Sequence, residues 1–227
     1  VIAGVLAATP KYDTATAFET IGTIATAGLI IATRPDFPAN SVADLISQAK
    51  ANPGKISFAS PGFGGTQHFT GELFKQLAGV DMLHVPFRTS PEVITAVIGK
   101  QVDLLFETIP AVIGQVQGGQ LKALAVTGAQ RFPSLPNVPT VIESGGVQGY
   151  DVTTWYGLIG PRGLPPAVTA KLSKTLNEVL ADKAVQEKLT KAGLVSQPST
   201  PEAFDKYLTS EVARWEKVRE AAKIAKQ

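Results

Sequence analysis

The sequence predicts an α/β fold in two lobes, with a compact unit inserted into an outer domain. Three observations carry this. A glycine-rich turn stands between a strand-like and a helix-like run at residues 56–79. Strands and helices alternate with short connections over residues 32–127, which argues for a parallel sheet covered by helices. Two apolar strand-like crossings, 23–32 and 153–160, flank that stretch as the chain would at a hinge between lobes.

Taken in order, residues 41–50 read as a helix: Val42, Leu45, Ile46 and Ala49 share a face, Asn40 or Ser41 caps it, and Asn52-Pro53-Gly54 ends it. Ile56-Ser57-Phe58-Ala59 is a short strand. Phe69, Leu73 and Leu77 then recur at helical spacing with Phe74 beside them, and Gly79 is the stop. Residues 82–85 form a strand, and Ser90-Pro91-Glu92 opens a helix that Gly99 closes. Residues 102–106 are a strand, 109–117 a short helix and 121–126 another strand. A proline- and glycine-rich excursion follows over 131–149, with one short helix around Val141. The strand at 153–159 leads into helices over 166–182, 183–192 and 201–222, the last with a packing stripe of Phe204, Leu208, Val212 and Trp215.

Composition narrows the function. Hydrophobic residues are 44% and charged residues 18%, values of a folded protein. Lys+Arg 21 against Asp+Glu 19 leaves a net charge of +2, too mild for a nucleic-acid surface. Cys is 0, which excludes disulfides, thiolate metal sites and a thiol nucleophile. The longest apolar segment, 21–33, is interrupted by Thr and Gly and falls short of the roughly 20 residues of a bilayer span, so no membrane insertion is expected. No signal peptide is visible.

Residues 60–68, Ser-Pro-Gly-Phe-Gly-Gly-Thr-Gln-His, join the strand to the helix. Such a turn points backbone N–H groups at one spot, where the helix dipole adds about half a positive charge. A carboxylate or phosphate can bind there without a basic side chain. Glycine in such a turn also serves plain backbone geometry, so the motif alone does not decide between anion binding and structure. No Gly-Lys-Ser/Thr follows and no Rossmann spacing is present, which disfavours nucleotides. In a parallel sheet, ligands bind beyond the carboxyl ends of strands. Residues 60–66, 87–90, 107–108 and Thr127 therefore converge on one edge. Ser60, Thr66 and His68 do not make a catalytic set, because no buried acid orients the histidine and no Gly-x-Ser-x-Gly elbow exists. His68 and His84 lack a third metal ligand. His68 caps the loop or touches ligand; His84 is a core or edge position. Arg88 is a ligand contact or a solvated loop arginine. Glu107 caps the helix that begins near Pro110 or contacts ligand. Trp155 and Tyr156 are hinge packing or, less favoured, ligand walls.

The run VADLISQAKANPGKISFASPGFGGTQHFTGELFKQLAGVDMLHVPF resembles the substrate-binding proteins of tripartite tricarboxylate transporters, the Bug family. GKQVDLLFETIP, GQLKALAVTGAQRFPSLPNVPTVIESG and WYGLIGPRGLP extend the resemblance from about Tyr12 to the C-terminus. It implies a periplasmic binding protein of the two-lobed, type II-like flytrap fold. Domain 2 would span 34–151, and domain 1 would gather 1–33 and 152–227. It implies an extracytoplasmic receptor, not an enzyme and without cofactor or metal, that binds a small organic carboxylate. The receptor would be monomeric and would deliver its ligand to membrane permease subunits. The implied ligand residues are Ser60, Gly62, Gly64, Gly65, Thr66, Gln67 and His68 of the loop, with Arg88, Thr89 and Glu107. Family members carry a further N-terminal part with a second clamp loop, so domain 1 is expected to be incomplete here. Arg88-Thr89-Ser90 replaces a segment more often Lys-Gly-Gly, and Glu107 stands where aspartate is common. A receptor that signals to a sensor kinase, or a carboxylate-handling enzyme, are the alternatives.

Overall fold

The computed structural model describes residues 1–226. Its elements are α1 (Ile2–Leu6), β1 (Phe18–Thr33), α2 (Val42–Ala51), β2 (Ser57–Pro61), α3 (Thr66–Ala78), β3 (Leu83–Phe87), α4 (Ser90–Ile98), β4 (Leu104–Thr108), α5 (Ile109–Gln117), β5 (Lys122–Val126), α6 (Val141–Gly145), β6 (Thr153–Pro161), α7 (Pro166–Ala181), α8 (Lys183–Lys191), β7 (Leu194–Ser196) and α9 (Pro201–Ala221). The chain divides into two compact units, one of residues 28–154 and one of 1–27 with 155–227.

In the 28–154 unit the strand order is β3-β2-β4-β1-β5. β2 runs parallel to β3 and β4, whereas β1 runs antiparallel to β4 and β5. The sheet is therefore mixed, not parallel as the alternation of elements predicts. Alternation reveals element type but not strand direction, and the connection over 34–56 carries a loop as well as α2, long enough to turn the chain either way. β2, β3, β4 and β5 still share one direction, so their carboxyl ends do meet at one edge.

β4 explains the layering. Leu104, Leu105, Phe106 and Glu107 are all fully buried, the signature of a central strand covered on both faces. Leu105 joins the cluster of Val93, Val97, Ile109 and Val112 from α4 and α5. Phe106 turns the other way and meets Phe58 at 5.5 Å and Phe74 of α3 at 5.9 Å between ring centroids. Each such buried side chain contributes about 1.5–3 kcal/mol.

Local signals set the helix ends. Ser41 caps α2 by accepting the Asp44 N–H at 3.0 Å. α3 stops at Gly79, which adopts φ 63°. The cap of α4 is Thr89, not Ser90, so the helix begins one residue earlier than its Ser-Pro-Glu signal suggests. Leu77 is 43% exposed, against expectation. α3 has 13 residues and β2 only 5, so at about 1.5 Å per residue the last helical turn outruns the strand that would cover it.

The other unit pairs the first half of β1 with β7, Ala25 opposite Ser196 and Ala27 opposite Leu194. Phe204 of α9 packs under Gly157 of β6, and Trp155 meets Phe204 at 5.5 Å. α1 and β7 were not evident in the sequence, being five and three residues long.

Gly71 lies where α3 crosses β2, and a Cβ there would collide with the buried Phe58 ring. Gly71→Ala should lower stability by about 1–3 kcal/mol despite its better helix propensity. Urea denaturation of the two proteins measures this.

Candidate functional site

The loop between β2 and α3 is held from inside. Gly62 and Gly64 take φ of 97° and 78°, the region that favours glycine, whereas Gly65 at −79° does not need it. The Gly62 N–H donates to the Phe87 carbonyl at 2.7 Å, continuing the β2–β3 ladder past its end. The Gly64 N–H donates to Nδ1 of His68 at 3.0 Å. Since Nδ1 accepts, the proton of neutral His68 sits on Nε2, which lies 3.8 Å from Glu72.

A second histidine completes the knot. His84 Nε2 and Ser60 Oγ are 2.7 Å apart, and Ser60 Oγ also donates to the Gly62 carbonyl at 3.1 Å. The imidazoles of His68 and His84 stack with centroids 3.8 Å apart and planes 11° from parallel. Phe63, half exposed, lies over His68 at 4.8 Å. The sequence had His84 as an ordinary core or edge residue. Its link to Ser60 becomes visible only with the register that pairs Phe58 with His84 and Ser60 with Pro86.

These bonds separate the loop's donors into two groups. The Gly62 and Gly64 amides and the Ser60 hydroxyl serve the loop itself. The start of α3 is different: its N-cap is Gly65, with no side-chain cap, so the first-turn amides from Gly65 through Gln67 meet neither a capping side chain nor an intrahelical acceptor. Thr66 and Gln67 are half-buried there.

Glu107 ends β4 and is fully buried. Its Oε1 accepts from Gln67 Nε2 at 2.8 Å, from the Thr108 N–H at 2.7 Å and from the Thr108 hydroxyl at 3.2 Å, while Oε2 is buried without a partner. Arg88 and Thr89 are exposed in the bend between β3 and α4. The Arg88 N–H donates to Glu92, and the Thr89 hydroxyl accepts the Glu92 N–H at 3.4 Å as the cap of α4. The fold thus gathers Ser60, Gly62, Gly64 and His68 in one knot and Gln67 with Glu107 in another. The Arg88 backbone N–H and the Thr89 hydroxyl are bonded within their own turn. Thr127, also at this edge, is spent on structure: its hydroxyl bonds the carbonyls of Leu29 and Val152.

Ser60 and His84 have the spacing of a nucleophile and base but not the properties. Ser60 is fully buried, and burial, then the neighbouring His68 and Lys75, push His84 down to about 3. Such an imidazole is a poor base at neutral pH. No group of three or more His, Asp or Glu side chains suited to a metal ion occurs among the described residues. Nor is any helix among them long and apolar enough to cross a membrane.

Burial, then Lys75, lowers His68 from 6.5 to about 4. Below pH 6.5 the unfolded chain binds protons at both histidines that the folded chain refuses, so stability falls as pH drops from 6.5 towards 4 and is constant on this account above 6.5. Urea midpoints taken across that window should decline with acidity, and more shallowly in His68→Gln.

The TctC model, described as the tripartite tricarboxylate transporter family receptor, matches residues 7–224. A UPF0065 protein from the tcbD-tcbE intergenic region of Pseudomonas sp. (strain P51) is 31% identical over 207 residues, covering 91% of this chain and 62% of its own length. The chain therefore spans about three-fifths of that relative. Among solved structures, R. palustris Rpa4515 with adipate superposes with a TM-score of 0.83 at 32% identity, over 99% of this chain and 76% of that one. The periplasmic binding protein BugD gives 0.79 at 34% identity, over 100% and 76%. With its α/β architecture and a family match over nearly its whole length, the chain belongs to the TctC family of tripartite tricarboxylate transporter receptors.

Proposed function

We propose that this protein is an extracytoplasmic, periplasmic solute receptor that holds a small organic carboxylate on the first turn of α3 and delivers it to a tripartite tricarboxylate-type permease. The observation that carries this reading is the uncapped start of α3, joined to a loop whose Gly62 and Gly64 amides and Ser60 hydroxyl are already engaged. An uncapped helix start offers N–H donors together with the positive end of the dipole. The surrounding knot holds those donors in place, so little ordering is left for the ligand to impose. A relative at 32% identity holds adipate, a dicarboxylate, and the family description is that of a transport receptor. The mechanism is binding without chemistry, and the 28–154 unit is the domain that carries this half of the ligand seat.

Thr66 is the first residue of α3, where proline is tolerated because no helical N–H bond is lost. The extended backbone of Gly65, ψ 170°, suits a following proline. Thr66→Pro removes one seat amide while keeping the helix. Each charge-assisted hydrogen bond is worth about 1.5–3 kcal/mol, so affinity for carboxylates should fall at least about tenfold. Isothermal titration with a panel of small mono- and dicarboxylates tests this, with the thermal midpoint of the free protein as the control for folding. Undiminished affinity in Thr66→Pro would place the carboxylate elsewhere.

A further inference from the structure

The two stacked histidines hold the loop by bonds of opposite polarity. A serine hydroxyl has one proton, and Ser60 gives its own to the Gly62 carbonyl at 3.1 Å. At the 2.7 Å contact Ser60 Oγ is therefore the acceptor and His84 Nε2–H the donor. That bond survives whether the His84 ring is neutral or charged. His68 is the reverse case: its Nδ1 accepts the Gly64 N–H at 3.0 Å, which only an unprotonated nitrogen can do. The loop thus depends on the protonation of one ring of the pair.

The same bond encloses the seat. It joins residue 64 to residue 68 and so closes a ring around Gly65, Thr66 and Gln67, whose amides make the first turn of α3. A proton on Nδ1 would set one N–H against another. Gly62 and Gly64, both in the left-handed region, leave the loop free to take another course once the bond is lost. The released ring has a partner waiting, because Glu72 lies 3.8 Å from His68 Nε2. Among the described residues, the charged groups that bear on the rings are Glu72 and Lys75 of α3, themselves paired at 3.1 Å. β3 presents His84, the loop presents Phe63, and β2 presents Phe58 with the Ser60 hydroxyl. The neutral ring ties down the loop; the charged ring turns to Glu72 instead.

We propose that His68 is the positioning residue of the carboxylate seat: its neutral Nδ1, through Gly64, fixes residues 65–67, and a proton on that nitrogen opens the loop and weakens the hold on the carboxylate. The inference rests on the reading of α3 as the carboxylate seat.

The test uses the purified protein, His68→Asn and His68→Leu. Asparagine offers an amide oxygen in place of Nδ1, an acceptor that does not titrate, whereas leucine offers none. Isothermal titration is run with whichever of adipate, succinate and benzoate binds most tightly, from above pH 6.5 to below pH 4. Dividing the affinity of the unsubstituted protein by that of His68→Asn cancels the protonation of the acid itself. The ratio should be constant above pH 6.5, halve near pH 4, where half the rings are charged, and fall in proportion below it. His68→Leu should bind at least about fivefold more weakly than His68→Asn at neutral pH. In amide NMR spectra without ligand, the Gly64 and Gly65 signals should shift with the same midpoint, and should not in His68→Asn. Far-UV circular dichroism at each pH controls for unfolding. A ratio that stays flat through the titration of His68, a Gly64 amide that ignores it, or equal affinities of the Asn and Leu variants overturns the proposal. Failure of all three acids to bind the unsubstituted protein at neutral pH overturns the carboxylate seat itself, and this inference with it.

Discussion

The hydrogen bond from the Gly64 N–H to Nδ1 of His68 is the constraint on which the sheet edge depends. It ties a glycine in the left-handed region to the first turn of the helix that follows, so loop and helix move as one piece. The stacked His84 then ties that piece to β3 through Ser60. Both imidazoles are neutral because burial disfavours their charged forms. Neutrality matters twice. A protonated His68 could not accept from Gly64, and two imidazolium rings at this distance would repel each other.

Much of the fold was legible because local patterns carry it. The helix over 109–117 has the bounds that periodicity predicts, and α2, α7 and α9 start at the capping serine or the proline that the sequence displays. Direction was not legible: β1 inverts the expected parallel sheet, since pairing across many residues, not local periodicity, orients a strand. At the site, the glycine-rich loop and the helix start could be read directly. Which amides remain available could not, because Gly62 and Gly64 are bonded to Phe87 and His68 through tertiary contacts. The pairing of Gln67 with Glu107, forty residues apart, is likewise set by the adjacency of β2 and β4.

Polar groups at this edge divide by what they already hold. Thr127 and Thr89 spend their hydroxyls on carbonyls or a cap, and Ser60 spends its own on the loop. Among the described residues at this edge, α3 begins at a glycine cap, and Glu107 leaves a buried carboxylate oxygen unpaired. The contrast between satisfied and unsatisfied groups is a more selective guide to a ligand seat than residue type, because serine, threonine and glycine occur on both sides of it.

β3 is the outer strand of its sheet, with Leu83 57% exposed and Pro86 inside it. Proline offers no N–H to a strand added alongside. An apolar edge that would otherwise template pairing between copies is thereby interrupted one residue before the strand ends. This single ring on the rim of the sheet limits edge-to-edge pairing between copies while lying outside the β2–α3 loop.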